Sequence, residues 1–197
     1  MIIVKKLKEA VDFLKKGGVI IYPTETAYGL GCDSTNQEAL DLIFKIKQRP
    51  QAKTLPLIAG SLAMVKKWVI LNKQEEILAK KYWPGALTLV LKNKKEVGLS
   101  KSVVAKDNTV AIRISSNKIA RTLAQRLGRP IVSTSANISG AKEIYSVTDL
   151  KKSFKKLSTD CIYTVDGGVL KRRAPSTVAR IRNGKIEVLR QGGLKIT

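Results

Sequence analysis

The chain has 197 residues, 44% of them apolar, enough for one domain with a full core spanning 1–197, and its formal net charge of +22 draws anionic partners such as nucleotides or RNA at long range. It contains no His, which excludes His-based acid–base catalysis, Ser-His-Asp and Cys-His nucleophile systems and the commonest zinc sites. Cys32 and Cys161 lie far apart outside any CxxC pattern, no run approaches the ~20 apolar residues of a membrane span, and Met1 to Lys6 lacks a signal-peptide core, so buried or half-buried free thiols and a cytoplasmic location with no membrane association are expected.

In chain order, residues 5–16 carry a helical stripe of Leu7, Ala10, Val11 and Leu14, stopped by Gly17-Gly18. Val19-Ile20-Ile21-Tyr22 is a continuous apolar run that reads as a buried strand ended by Pro23. A second helix is expected over 36–47, capped by Asn36 and limited by Pro50. A short strand over 55–59 and helices near 61–68 and 73–82 follow. Strands are expected over 86–92 and 109–115; in the second, Val110, Ile112 and Ile114 point one way, so Arg113 leaves the core face. A basic amphipathic helix over 117–127, a strand at 130–132, a helix over 148–157 and a strand over 162–165 come next. Last, 177–181 and 185–189 flank Asn183-Gly184, a type I′ hairpin signal. The sum is an α/β chain: one domain with an open, twisted, mixed sheet flanked by helices around a concave basic cleft.

Several segments at the ends of these elements carry chemistry. Pro23 to Gly31 follows a buried strand with hydroxyls, a carboxylate and glycines that permit close backbone approach; it reads either as a site for a small polar ligand or as a capping loop. Lys47, Arg49 and Lys53 put three cations in one short segment at a helix end, which suits a triphosphate. Arg113 on an otherwise apolar strand needs a planar anionic partner, either a ligand or a protein carboxylate. Ser133-Thr134-Ser135-Ala136-Asn137 follows a strand with hydroxyl and amide groups, and Asp166-Gly167-Gly168 and Ala174-Pro175-Ser176-Thr177 form a further hydroxyl-rich connection.

Taken together, Pro23-Thr24-Glu25-Thr26-x-Tyr28-Gly29-Leu30-Gly31, Lys47-x-Arg49-Pro50, Thr109-x-Ala111-x-Arg113, Ser135-Ala136-Asn137-x-Ser139-Gly140, Asp166-Gly167-Gly168 and Pro175-Ser176-Thr177-Val178 resemble the YrdC family of threonylcarbamoyl-AMP synthases, from about residue 10 to 192. The resemblance is to the short, single-domain bacterial type. It implies that L-threonine, bicarbonate or CO2, and ATP give threonylcarbamoyl-AMP and pyrophosphate, for N6-threonylcarbamoyladenosine at position 37 of tRNA. It also implies a separate tRNA threonylcarbamoyl-transfer complex as recipient of the product. By the same resemblance, Thr26, Arg113, Ser135 and Ser176 bind threonine, with Arg113 the carboxylate clamp. Arg49, Lys53, Thr109, Asn137, Tyr145 and Arg190 bind ATP, Lys47 and Arg49 are the catalytic pair, and Mg2+ accompanies the triphosphate with no metal ligands assigned in the protein. Two departures stand out: Ile58 replaces a histidine of many relatives, and Ala174-Pro175-Ser176-Thr177 replaces their Glu-Ser-Thr.

The rival reading is a non-catalytic module that binds tRNA or double-stranded RNA, which the charge supports equally well through counterion release. Aromatic residues make up 5% of the chain, a poor supply for base stacking. The Thr26, Lys47, Arg49, Arg113, Ser135 and Asn137 set serves no purpose in such a module, and the enzyme reading is favoured.

Overall fold

The computed structural model describes residues 2–4, 6–50, 54–155 and 162–197. The first half of the chain runs β1 (Ile2–Val4), α1 (Leu7–Lys15), β2 (Val19–Pro23), β3 (Tyr28–Gly31), α2 (Gln37–Lys47), β4 (Leu57–Ile58), α3 (Leu62–Trp68), β5 (Val69–Ile70), α4 (Lys73–Tyr82) and β6 (Leu87–Asn93). It continues through β7 (Thr109–Arg113), α5 (Lys118–Leu127), β8 (Ile131–Val132), β9 (Thr134–Ser135), α6 (Val147–Ser153), β10 (Ile162–Val165), β11 (Thr177–Arg182) and β12 (Lys185–Arg190). The mixed α/β architecture expected from the sequence is present, distributed over two mixed sheets. The smaller has the order β1-β10-β2-β3-β9, and the larger β12-β11-β6-β7-β4-β8 with β5 paired to β6.

The apolar run of β2 is buried throughout because both of its faces are covered. Ile20 and Tyr22 pack with Ala10, Val11 and Leu14 of α1 and with Ala120, Leu123, Ala124 and Leu127 of α5. Val19 and Ile21 join the main core with Leu40 and Ile43 of α2. The stripes that predicted these helices are therefore their buried faces, and Asn36 caps α2 as expected, accepting from the Ala39 N–H at 2.9 Å. At the far end of the chain, Asn183 and Gly184 have φ of 51° and 73°, the pair of left-handed residues that a type I′ hairpin turn requires.

The two sheets are joined by the chain itself. β8 ends in the larger sheet, Ser133 donates its N–H to Pro56 O at 2.8 Å, and the next two residues pair with β3 in the smaller sheet. Tyr22 of the smaller sheet reaches across this junction, its hydroxyl donating to Val132 O at 2.9 Å. Burial pushes the Tyr22 phenol up, so it stays a donor across the physiological range. Backbone passes so close here that Gly31 has no room for a side chain: an added Cβ would lie 2.0 Å from Val132 O. Gly31→Ala is expected to cost about 3 kcal/mol, read as a lower urea midpoint with an unchanged slope; wild-type stability would show that the sheet junction has slack.

Candidate active site

Helix α2 ends at Gln48, which takes a left-handed backbone (φ 50°) and turns the chain so that Lys47 points inward while Arg49 reaches the neighbouring cavity. Lys47 is 2% exposed. Its ammonium donates to Ser135 O at 2.6 Å, Asn137 O at 2.7 Å and Asn137 Oδ1 at 3.2 Å. Ser135 Oγ in turn donates to Asn137 Oδ1 at 2.6 Å. The two polar clusters that stand far apart in the sequence are thus one hydrogen-bonded unit. Arg49 donates from Nη2 to Thr54 O at 3.3 Å, and its Nε is buried without a partner among the described residues. Lys47, Arg49, Pro50, Ser135, Asn137, Ser139 and Gly140 enclose a cavity of about 280 Å³.

Arg49 and Ser135 also line a second, deeper cavity of about 320 Å³, into which both sheets contribute. From the smaller sheet and its loops come Thr24, Thr26, Tyr28, Ser135 and Glu143, and from the larger Thr88, Arg113, Ser176 and Arg190. Arg113 sits at the end of β7 with its side chain 6% exposed, paired through Nε with Glu25 Oε1 at 3.1 Å. It leaves the apolar face as its strand parity predicted, and it has a protein carboxylate as partner while still lining the cavity. Arg190 closes the rim, donating to Ser176 O at 2.7 Å and to Ser176 Oγ at 3.1 Å. Ser176 Oγ lies 2.9 Å from Thr88 Oγ1.

Of the residues expected at the site, the structure gathers Thr26, Arg49, Arg113, Ser135, Ser176 and Arg190 around the deeper cavity and Lys47 and Asn137 around the adjoining one. Thr109 lines neither: it opens β7, and its hydroxyl donates to Asp107 at 2.7 Å. Tyr145 also lines neither; it donates to Glu143 at 2.8 Å and lies under Arg172, 5.6 Å from its ring. Lys53, like Cys161, falls outside the described residues. Cys32 is a buried free thiol, as expected. Ile58 packs in the core beside α5 rather than in a cavity wall, and Pro56 lines the cavity near that point. Thr88 and Glu143 were not expected at the site, and Thr24 and Glu25 were expected only as part of the Pro23 to Gly31 segment. Glu25 was visible as the one carboxylate in a hydroxyl-rich loop, whereas Thr88 looks like any strand residue until β6 is laid beside β11.

Among the described residues no group of three or more His, Cys, Asp or Glu is placed to hold a metal ion, and no helix is long and apolar enough to cross a membrane.

The family model Sua5/YciO/YrdC, described as telomere recombination, matches residues 12–192. A threonylcarbamoyl-AMP synthase of Pseudoalteromonas translucida (strain TAC 125) is 37% identical over 183 residues, covering 90% of this chain and 94% of its own length. One of Vibrio cholerae is 36% identical over 197 residues, covering 98% of this chain and all of its own. The crystal structure of P. abyssi Sua5 complexed with L-threonine matches 98% of this chain with a TM-score of 0.87 at 31% identity, and the chain spans 57% of that longer protein.

Burial, and after it the neighbouring Arg49 charge, pushes Lys47 down to about 8 from an ordinary value of 10.5. A lysine whose proton is held less tightly in the folded than in the unfolded chain makes folding more favourable as pH rises between those two values. Wild-type stability measured by urea denaturation is therefore expected to gain on that of Lys47→Met from pH 8 to pH 10.5. A constant difference over that window would show that the Lys47 ammonium is not perturbed.

Proposed function

The chain belongs to the Sua5/YciO/YrdC family, and from that premise we propose that it is a threonylcarbamoyl-AMP synthase, joining L-threonine, bicarbonate or CO2, and ATP with release of pyrophosphate. The observation that carries this reading is the convergence of Thr26, Arg113, Ser135 and Ser176 on one cavity that shares Arg49 with the Lys47–Asn137 cavity beside it. An amino acid with a carboxylate, an amine and a hydroxyl fits the first set, and a polyphosphate fits the second.

In this reaction the neutral amine of threonine bonds to the carbon of CO2, which bicarbonate supplies with loss of hydroxide, and releases a proton to water. A carbamate oxygen then attacks the α-phosphorus of ATP, and the bond from that phosphorus to the oxygen bridging the α- and β-phosphates breaks to release pyrophosphate. No side chain need form a covalent bond, so the protein's part is to align the reactants and to meet charge as it develops. Arg113 presents its guanidinium to the threonine carboxylate, for which a planar fork is the natural match. The hydroxyls of Thr26, Ser135 and Ser176 serve the remaining polar groups. Arg49, which lines both cavities, and Arg190, which lines the threonine cavity, bring positive charge to the phosphates.

Lys47 has all three of its donors engaged by backbone and amide oxygens. It therefore contributes charge behind the wall and fixes Ser135 and Asn137 in place. Mg2+ would arrive on the triphosphate, whose oxygens would hold it, and it would supply neutralisation of the leaving pyrophosphate. Hand-over of threonylcarbamoyl-AMP to a tRNA threonylcarbamoyl-transfer complex, which moves the threonylcarbamoyl group to N6 of adenosine 37 of tRNA with release of AMP, completes the proposal. The rival RNA-binding role leaves the buried hydroxyl and guanidinium groups of the cavity without purpose and is not favoured.

Purified protein given ATP, L-threonine, bicarbonate and Mg2+ is expected to release pyrophosphate only when threonine is present. No release, or release independent of threonine, would overturn the assignment. Arg113→Ala is expected to raise the KM for threonine ~100-fold, and Arg49→Ala to lower kcat by ~10²–10³-fold, each with a circular dichroism spectrum like that of the wild type.

A further inference from the structure

Arg113 is expected to bind a carboxylate, yet it is already paired with one. The pairing uses one edge of the guanidinium: Nε donates to Glu25 Oε1 at 3.1 Å, while Nη1 and Nη2 make no hydrogen bond to the described residues and Arg113 lines the cavity. The other oxygen of Glu25 accepts from Ser115 Oγ. Ser115 Oγ also accepts from Asn117 N at 3.1 Å, and Asn117 caps α5. The carboxylate is thus braced by the loop after β7 and the start of a helix, and its own side chain is 5% exposed.

We infer that Glu25 is a positioning residue for the proposed reaction: it holds the Nε edge of Arg113 so that the two terminal nitrogens face the cavity as a preset carboxylate fork. This inference rests on the reading of the cavity as a threonine site. A long arginine side chain at the end of a strand has many rotamers, and a clamp must be held within a fraction of an ångström to bind a small substrate well. Glu25 supplies that restraint from a loop of the smaller sheet to a residue of the larger one. It also offsets the Arg113 charge, since a lone buried guanidinium would be costly.

Two other roles for Glu25 make different demands. A proton acceptor for the threonine amine needs an oxygen free to reach it, and both oxygens of Glu25 are engaged within the protein. A competitor that the substrate must displace would take the terminal nitrogens, and Glu25 takes Nε.

The test is initial-rate pyrophosphate release with threonine varied at saturating ATP and bicarbonate. Glu25→Ala is expected to raise the threonine KM by about 10- to 100-fold, with kcat at saturating threonine within about threefold of wild type and the KM for ATP unchanged. Glu25→Gln, whose amide oxygen still accepts from Nε, is expected to restore most of the threonine affinity. A threonine KM unchanged in Glu25→Ala but raised in Arg113→Ala would overturn the positioning role and leave the proposed function standing. A lowered KM would mark Glu25 as a competitor, and a kcat loss that Glu25→Gln fails to rescue would mark it as a proton acceptor; either overturns the inference. If Glu25→Ala does not fold, Ser115→Ala, which frees the carboxylate from its brace, decides the matter by raising the threonine KM or leaving it unchanged. A wild-type protein that ignores threonine overturns the proposed function itself, a separate result.

Discussion

The buried ammonium of Lys47 is the interaction on which the rest of the site depends. A cation inside a protein is costly unless its donors are all met, and here three oxygens of Ser135 and Asn137 meet them at 2.6, 2.7 and 3.2 Å. The last turn of α2 is thereby fixed to the segment that begins at β9. Because β9 pairs with β3 and follows directly on β8, that one contact sets a helix, the edge of the smaller sheet and the crossing between sheets relative to each other. Ser139 N donates to Lys47 O at 3.0 Å and ties the backbone of the same turn a second time. Arg49 follows two residues later, after the left-handed Gln48, so the direction of its side chain is inherited from the same anchor.

Much of this was legible in the sequence because it is local. Helical stripes such as Ala10, Val11 and Leu14, the Asn36 cap, the Asn183-Gly184 turn and the apolar run of β2 each encode structure within a few residues, and all of them appear where expected. What stayed hidden is what depends on a distant partner. Tyr28-Gly29-Leu30-Gly31 reads as a glycine-rich loop, yet it is a buried strand between β2 and β9. Gly31 has no room for a side chain because Val132 and Tyr22 crowd it, which the segment itself does not reveal. β9 is two residues long and exists only through β3. Thr109 and Arg113 share a strand, but Ala111 and Arg113 line the cavity while Thr109 does not, and no spacing rule says where along a strand a cavity lies.

Arg113 shows how two readings of one residue can both hold. Its sequence context allowed a ligand clamp or a protein ion pair, and the structure has it paired on one edge and open on the other. An arginine has five donors, so occupation of one edge by a carboxylate still leaves a fork for another.

The net charge of +22 has a narrower meaning once the cavity is drawn. Arg113 is neutralised by Glu25, and Arg180 on β11 by Glu187 at 2.8 Å, while lysines such as Lys45 and Lys152 stand in solvent. Exposed charges of this kind raise the local concentration of anions but are screened within about 8 Å at physiological salt. The two adjoining cavities keep Arg49, Arg190 and Lys47 in their walls, with Glu143 the one carboxylate among the described residues that line them. That local excess acts at short range, where water is partly excluded and a charge is worth most. The proposed reaction, with no imidazole in the chain and no thiol among the described residues that line the cavities, would draw its rate from alignment and from charge met where it develops. Two sheets locked together at Ser133, with guanidinium groups held by backbone carbonyls and a buried carboxylate, provide that rigidity without any reactive side chain.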